Sequence, residues 1–229
     1  MLEHLKTKTP VIRSFIRRQG RITLGQQFAL EQWWDRYGLS YEKPLEAVAT
    51  FGREAPLIVE IGFGNGQALA EMARVNSENN YLGIEVHRPG IGHLFLNLDN
   101  HQTDNVRIYC HDAIEILSEK ISDNSLAGLQ LFFPDPWPKN RHHKRRIVDS
   151  SFITLVSQKL KPGGYLHMAT DWQAYAKVML SVAGKNKSLV NESPDSTFCL
   201  RPDYRPLTKF ERRGIRLGHG VWDLIFRKA

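Results

Sequence analysis

With 229 residues, of which 41% are apolar, the chain is long enough for one domain with a substantial hydrophobic core and a short extension. Its 31 Lys and Arg against 24 Asp and Glu give a formal net charge of +7, which favours an acidic partner such as nucleic acid. Cys110 and Cys199 are too few for a cysteine-rich metal site or a disulfide framework, and no run of about 18 apolar residues occurs, so we expect a cytoplasmic protein without a membrane span or a required metal.

Both ends of the chain are strongly basic. The amino-terminal basic residues are Lys6, Lys8, Arg13, Arg17, Arg18 and Arg21, with Glu3 as the single acid among them. The carboxy-terminal basic residues are Arg201, Arg205, Lys209, Arg212, Arg213 and Arg216. Such runs are typical of a solvated surface, and they also suit contact with a polyanion. We predict a basic amino-terminal arm over residues 1–40 and a folded domain over residues 41–229.

From residue 56 onward, short β-branched runs alternate with segments of helical periodicity. The predicted strands span residues 56–61, 81–86, 105–109, 128–133 and 165–170. The predicted helices span residues 67–76, 91–98, 113–120 and 148–160. This alternation predicts an α/β fold with a mostly parallel sheet and helices on both of its faces.

A glycine-rich loop follows the first predicted strand. Glu60 lies in that strand, and Gly62, Gly64 and Gly66 allow a tight turn and close approach of the backbone to a ligand. A dinucleotide-binding fingerprint would have its third glycine at position 67, where this chain has Gln67, which disfavours an NAD-dependent dehydrogenase. A glycine loop alone is equally consistent with a purely structural turn.

Acidic residues occur at or near the ends of four predicted strands, namely Glu60, Glu85, Asp112 and Asp135. In an open parallel sheet the ligand lies beyond the carboxyl ends of the strands, so these acids should lie on one rim. Glu85 is placed to accept hydrogen bonds from both ribose hydroxyls of a nucleoside, and Asp112 from an adenine amino group. Asp112 is equally a good candidate for a helix N-cap.

The fourth predicted strand ends in a proline-rich loop that runs into a basic segment. Pro134, Pro136 and Pro138 restrict the backbone and should hold Asp135 and Trp137 in a stiff loop. The tryptophan either stacks on a base or packs the loop itself. The segment over residues 139–146 carries the basic side chains, and we expect its two histidines to face RNA or solvent rather than a metal.

The segments VEIGFGNG, GIEVHRPG, FFPDPWPKNRHHKRR, MATDW and RPLTKFERRG together resemble the bacterial tRNA (guanine-N7-)-methyltransferase family. The resemblance extends from about Arg13 to the carboxyl terminus. It implies a Rossmann-like class I methyltransferase fold, S-adenosyl-L-methionine as cofactor and tRNA as partner. It also implies methyl transfer to N7 of the variable-loop guanosine 46, a tRNA modification that forms 7-methylguanosine.

The resemblance assigns roles to individual positions. The implied cofactor-binding residues are Glu60, Gly62, Gly64, Gly66, Glu85, Asp112 and Asp135, and Asp135 is also the implied catalytic acid. The implied substrate-binding residues are Lys139, Arg141, His142, His143, Lys144, Arg145, Arg146, Asp171, Thr208, Lys209, Phe210 and Glu211. The oligomeric state is left open between a monomer and a homodimer.

Two other functions fit parts of this sequence pattern. Methyltransferases that act on amino groups usually carry an Asp/Asn-Pro-Pro-aromatic motif at this strand end, whereas Asp135-Pro136-Trp137 lacks the second proline. A basic RNA-binding module on a catalytically silent fold would instead fail to bind S-adenosylmethionine.

Overall fold

In the computed structural model, residues 20–208, 211–212, 218 and 220–229 are described. The strands are β1 (Leu57–Ile61), β2 (Asn80–Ile84), β3 (Val106–Tyr109), β4 (Leu126–Phe132), β5 (Leu160–Thr170), β6 (Leu189–Asn191) and β7 (Trp222–Lys228). The α-helices are α1 (Leu24–Tyr37), α2 (Ala47–Phe51), α3 (Gln67–Val75), α4 (Arg88–Asn100), α5 (Ala113–Glu119), α6 (Ser150–Lys159) and α7 (Gln173–Ala183). A 3₁₀ helix spans Asn140–Arg145.

The strands form one sheet in the order β3-β2-β1-β4-β5-β7-β6. Strands β1 to β5 are parallel to one another, and β7 is antiparallel to both of its neighbours, β5 and β6. At the carboxyl edge Ile61 of β1 pairs with Ile84 of β2 and with Leu131 of β4. The predicted α/β fold with a mostly parallel sheet is therefore confirmed, and the loops after these strands share one edge.

Alternating residues of the central strands fill two separate cores. In β1, Ile58 belongs to the core beneath α1, α3 and α4, whereas Val59 belongs to the core beneath α5, α6 and α7. Successive side chains in a strand point to opposite faces, so a strand covered on both sides is apolar throughout. This is why residues 57–61 read as an uninterrupted buried run.

Several elements lie outside the sequence predictions, namely α1, α2, α7, β6 and β7. Helix α1 falls within the predicted basic arm, yet Tyr37 packs against Phe95 of α4 with ring centroids 5.4 Å apart. A capping box between Thr23 and Gln26 marks its start. Residues 1–19 lie outside the described residues, so the division into an arm and a domain stays a prediction.

Strand β5 begins five residues earlier than the sequence predicts. Leu160 pairs with Leu126, and the register shifts before Gly128 pairs with Tyr165. Residues 161–164, which separate the predicted helix from the predicted strand, are thus an irregular part of the strand, in which Gly163 adopts a φ of +76°. Over the described ranges, no helix combines the length and the apolar character needed to cross a membrane.

Candidate functional site

A cavity of about 270 Å³ opens at the carboxyl edge of the sheet. Its walls come from the ends of β1, β2 and β4 and from the loops that follow β2, β3 and β4. The predicted site residues Gly62, Glu85 and Asp135 line it together. The structure therefore brings the glycine loop, Glu85 after β2 and Asp135 in the proline-rich loop to one cavity.

The glycine loop has space on its open side. Gly62 and Gly64 have φ values of +71° and +61°, and a Cβ added to either would meet no atom within 4 Å. Gly66 differs, because a Cβ there would come within 2.6 Å of Leu94 in α4. A Cβ on Gly90 would lie only 2.0 Å from the Gly64 carbonyl oxygen, so only a glycine at this position lets the start of α4 pack directly on the glycine loop. Two glycines thus shape the backbone beside the cavity, and the others permit close packing behind it.

The Glu85 carboxylate is held by three backbone N–H groups. Gly64 donates to Oε2 at 2.9 Å, while Val86 and His87 donate to Oε1 at 2.7 and 3.0 Å. A carboxylate has about four lone-pair positions, so these bonds leave Oε2 with capacity for a ligand hydroxyl. Glu85 therefore fixes the glycine loop and also presents an oriented acceptor to the cavity.

Glu60 lies behind the loop rather than at the cavity surface. Only 3% of it is exposed, and burial, followed by repulsion from Glu85, raises its pKa to about 8. Its Oε2 atom has no hydrogen-bond partner among the described residues. This shift favours the neutral, protonated form of the buried side chain at neutral pH.

Asp112 caps helix α5, as its position after β3 suggested. Its Oδ1 atom accepts from the N–H of Ile114 at 2.8 Å and, more weakly, from Glu115 at 3.5 Å. The preceding His111 lines the cavity and stacks on Tyr41 with ring centroids 4.0 Å apart. The cap orients the Asp112 carboxylate next to the cavity wall.

The proline-rich loop holds Asp135 at the mouth of the cavity. Phe133 has a φ of +51° and donates its N–H to the Ala169 carbonyl at 2.8 Å, which turns the chain away from β4. Farther on, Arg146 Nε donates to the Pro136 carbonyl at 2.8 Å. Asp135 itself is exposed and lines the cavity. An acid on an anchored loop at a cavity mouth suits contact with a bound base.

The basic segment forms a 3₁₀ helix that packs against the same loop. Trp137 contacts the His142 ring at a centroid distance of 5.7 Å, and the Arg145 guanidinium lies 5.2 Å from the Trp137 ring. Trp137 is half-buried, and its position in these contacts agrees with the loop-packing alternative. Desolvation and neighbouring cations, including Arg141, lower the pKa of His142. The positive helix is thus coupled directly to the loop that carries Asp135.

The side chains of the basic segment, residues 139–146, differ in their exposure to solvent. Lys139, Arg141 and Lys144 are exposed, whereas His142, His143 and Arg145 are half-buried. Arg146 is half-buried as well, and its guanidinium stacks over Tyr175 at 4.7 Å from the ring centre. Arg146 therefore anchors the loop, and any RNA contact by it remains a prediction.

The remaining predicted substrate residues lie at two places. Asp171 is exposed immediately after β5, beside the end of β4. Glu211 is only 4% exposed, and its two carboxylate oxygens accept from Arg205 at 2.7 Å each. Thr208 and Glu211 also bond reciprocally through backbone and side chain. Lys209 and Phe210 lie outside the described residues.

The assignment of Arg205 to a basic surface strip is wrong. Arg205 is 1% exposed, because Asp223 and Glu211 together bind its guanidinium. Asp223 also binds His167 in the adjacent strand β5. Sequence reasoning missed this cluster, although a lone acid in the apolar run WDLIF and a lone histidine in LHMAT are signals of buried polar pairing.

The sequence of this chain matches a known protein family. The model of the family "Putative methyltransferase" matches residues 54–224. A tRNA (guanine-N(7)-)-methyltransferase of Cronobacter sakazakii is 55% identical over 95% of this chain and 92% of its own length. One of Aeromonas hydrophila is 54% identical over the same shares of the two chains.

Solved structures agree at the level of fold. The aminoglycoside resistance methyltransferase NpmB1 superposes with a TM-score of 0.52 at 13% identity, covering 78% of this chain and 90% of that one. A 30S ribosomal A1408 methyltransferase from an uncultured bacterium gives 0.50 at 14% identity, covering 84% and 98%. These likenesses confirm the predicted class I methyltransferase fold, and the sequence identities confirm the predicted family. The chain belongs to the bacterial tRNA (guanine-N(7)-)-methyltransferase family.

Proposed function

We propose that this protein transfers the methyl group of S-adenosyl-L-methionine to N7 of guanosine 46 in the variable loop of tRNA. The observation that carries the proposal is the position of Asp135. This acid lies at the mouth of a cavity that contains the glycine loop and Glu85, and its own loop is packed against a basic 3₁₀ helix. Cofactor site, base-facing acid and RNA-facing cations thus adjoin one another.

The cavity residues suit the proposed cofactor. Gly62 and Gly64 leave the backbone open on the cavity side, and Glu85 has acceptor capacity for the ribose hydroxyls. The Asp112 bonds to its helix involve Oδ1, so Oδ2 can accept from an adenine amino group. Glu60 is buried behind this site, where its raised pKa favours the neutral acid. The bound cofactor supplies an electrophilic methyl group on a positively charged sulfur.

Asp135 acts on the base that receives the methyl group. Guanine N7 has an in-plane lone pair and no proton, so it attacks without a general base, and the protein's task is positioning and electrostatic stabilisation. The Asp135 carboxylate accepts from guanine N1–H and the 2-amino group, which selects guanine over adenine. The same charge stabilises the purine as it becomes positive.

The exposed cations near this loop bind the RNA. Lys139, Arg141 and Lys144 are exposed and can contact phosphates. Arg145 follows Lys144, and its guanidinium packs against the Trp137 ring. Asp171, Thr208 and Glu211 lie at the same edge and contact the substrate nucleotide, together with Lys209 and Phe210, which lie outside the described residues. We expect the protein to act in the cytoplasm as a monomer or a homodimer.

One assay tests the function. Purified protein is incubated with labelled S-adenosylmethionine and unmodified tRNA, and the labelled nucleoside is identified after digestion. We expect 7-methylguanosine from wild-type tRNA and none from a matched transcript in which guanosine 46 is replaced by adenosine. A product methylated on an exocyclic amino group would support the amino-methyltransferase alternative. Absence of cofactor binding would instead support a silent RNA-binding module.

A further inference from the structure

Arg205 is the centre of a buried polar cluster that joins three distant parts of the chain. Its Nε and Nη2 atoms donate to the two oxygens of Asp223 at 2.7 and 2.9 Å, at the start of β7. Its Nη1 and Nη2 atoms donate to the two oxygens of Glu211 at 2.7 Å each. A planar guanidinium is thereby clamped between two carboxylates with bidentate geometry on both sides.

A second layer of hydrogen bonds fixes Asp223. Burial holds the pKa of His167 below its ordinary value, although Asp223 opposes that shift, so the ring is neutral near pH 7. His167 Nε2–H then donates to Asp223 Oδ1 at 2.8 Å, and Nδ1 accepts from the Tyr204 hydroxyl at 2.9 Å. The side-chain polar atoms of Tyr204, His167 and Asp223 all have partners in this hydrogen-bond network. Tyr204 and Arg205, adjacent in sequence, therefore reach Asp223 by two routes.

The cluster touches the base of the Asp135 loop. The Arg205 guanidinium carbon lies 5.7 Å from the ring centres of both Phe132 and Phe133. Phe132 ends β4, and Phe133 holds the positive φ that turns the chain toward Asp135. A cation against these two rings restricts where the turn can lie.

The cluster also fixes Glu211 and, through it, Thr208. Glu211 binds Arg205 with its side chain, and its N–H donates to Thr208 Oγ1 at 3.1 Å. The Thr208 N–H donates back to Glu211 Oε2 at 3.4 Å. Glu211 is thus oriented by Arg205 and in turn orients Thr208.

A buried ion pair of this kind is weak support for stability, because desolvation of the charges offsets their attraction. Its bidentate geometry is instead a means of fixing positions to within a fraction of an ångström. We propose that Arg205 is a positioning residue for methyl transfer, setting the Asp135 loop relative to Thr208 and Glu211 across the target guanine. This inference rests on the proposed function, in which both elements contact the substrate nucleotide.

The test compares Arg205→Lys with Arg227→Lys. Lysine keeps the charge of Arg205 but loses the fork that binds two carboxylates. Arg227 lies on β7 as well, and its exposed guanidinium binds Glu192 and the Gly163 carbonyl, away from the cluster. For each variant, kcat and KM for tRNA, calorimetric affinity for S-adenosylmethionine and thermal stability are measured.

We expect Arg205→Lys to lower kcat about 10- to 100-fold while the cofactor affinity changes by less than about threefold. Arg227→Lys should keep the wild-type kcat. In an Asp135→Ala background Arg205→Lys should lower kcat much less, because the acid it positions is gone. An unchanged kcat, or a loss of kcat that only follows the loss of folded protein and of cofactor affinity, overturns the proposal.

If Arg205→Lys does not fold, the less disruptive variant Tyr204→Phe tests the proposal instead. Tyr204→Phe removes one hydroxyl that orients His167, and we expect about a threefold lower kcat with unchanged cofactor affinity and thermal stability. A wild-type kcat in a folded Tyr204→Phe protein overturns the proposal in that case. If the wild-type protein forms no 7-methylguanosine, the proposed function fails on its own, separately from any effect of these variants.

Discussion

Replacement of Glu60 by glutamine tests whether a buried carboxylic acid is neutral in the folded protein. Glu60 of β1 pairs with Gln130 of the parallel strand β4, so both side chains leave the same face of the sheet. Glu60 Oε2 and Gln130 Oε1 are each buried without a hydrogen-bond partner among the described residues. Two acceptors cannot bond each other, but a protonated Glu60 can donate to the amide oxygen. Glutamine at position 60 would supply the same donor permanently.

The size of the effect follows from the pKa of Glu60, which burial raises from 4.5 to about 8. As the pH rises, the unfolded chain releases this proton before the folded protein does, so the folded state loses stability between the two pKa values. The loss relative to Glu60→Gln is about 1.4 kcal/mol per pH unit. From about pH 5.5 to about pH 7.5 the variant should therefore gain about 2–3 kcal/mol over the wild type.

Chemical denaturation at several pH values in this range measures the free energy of unfolding of both proteins. Other titrating groups contribute equally to the two proteins, so the difference between the curves isolates Glu60. Glu60→Ala is the matched contrast, because it leaves the Gln130 oxygen without a donor and opens a cavity. It should be less stable than Glu60→Gln throughout the range.

Parallel curves for wild type and Glu60→Gln would refute the reasoning, since they would mean that Glu60 is ionised in the folded state. Cofactor affinity gives an independent check. A neutral supporting role predicts that Glu60→Gln binds S-adenosylmethionine within about threefold of the wild type. A much weaker affinity would show that the cofactor requires the charge.

Three further outcomes are expected. Asp135→Asn should lower kcat about 100-fold or more with small changes in cofactor and tRNA affinity, and a near wild-type rate would return Asp135 to a loop-structuring role. Glu85→Ala should weaken S-adenosylmethionine binding by about 1–3 kcal/mol in calorimetry while tRNA affinity is kept, and an unchanged cofactor affinity would remove Glu85 from the site. Neutralising Arg141 and Lys144 should reduce the slope of log tRNA affinity against log salt concentration by about one unit each. The control Lys161→Gln, at the opposite edge of the sheet, should leave this slope unchanged. Equal slopes in all variants would mean that the basic 3₁₀ helix faces solvent and does not contact RNA.

The amino-acid sequence determined the features that depend on neighbouring residues. The strand and helix alternation from residue 56 onward follows from local periodicity, and so does the glycine loop after β1. Because parallel strands end at one edge, the sequence also predicted that Glu85 and Asp135 would meet at one cavity, as they do. The helix cap formed by Asp112 could also be predicted from the sequence, because a cap is a contact between residues at most three positions apart.

Tertiary structure alone decided the features that depend on distant residues. Arg205 reads as a surface cation, but its partner Asp223 lies 18 positions away, and the His167 that binds Asp223 lies 56 positions from it. Those contacts exist because β7 inserts antiparallel beside β5, a pairing that no local pattern encodes. The raised pKa of Glu60 has the same origin, because a pKa is set by desolvation and by surrounding charges, which the sequence does not specify until the chain is packed.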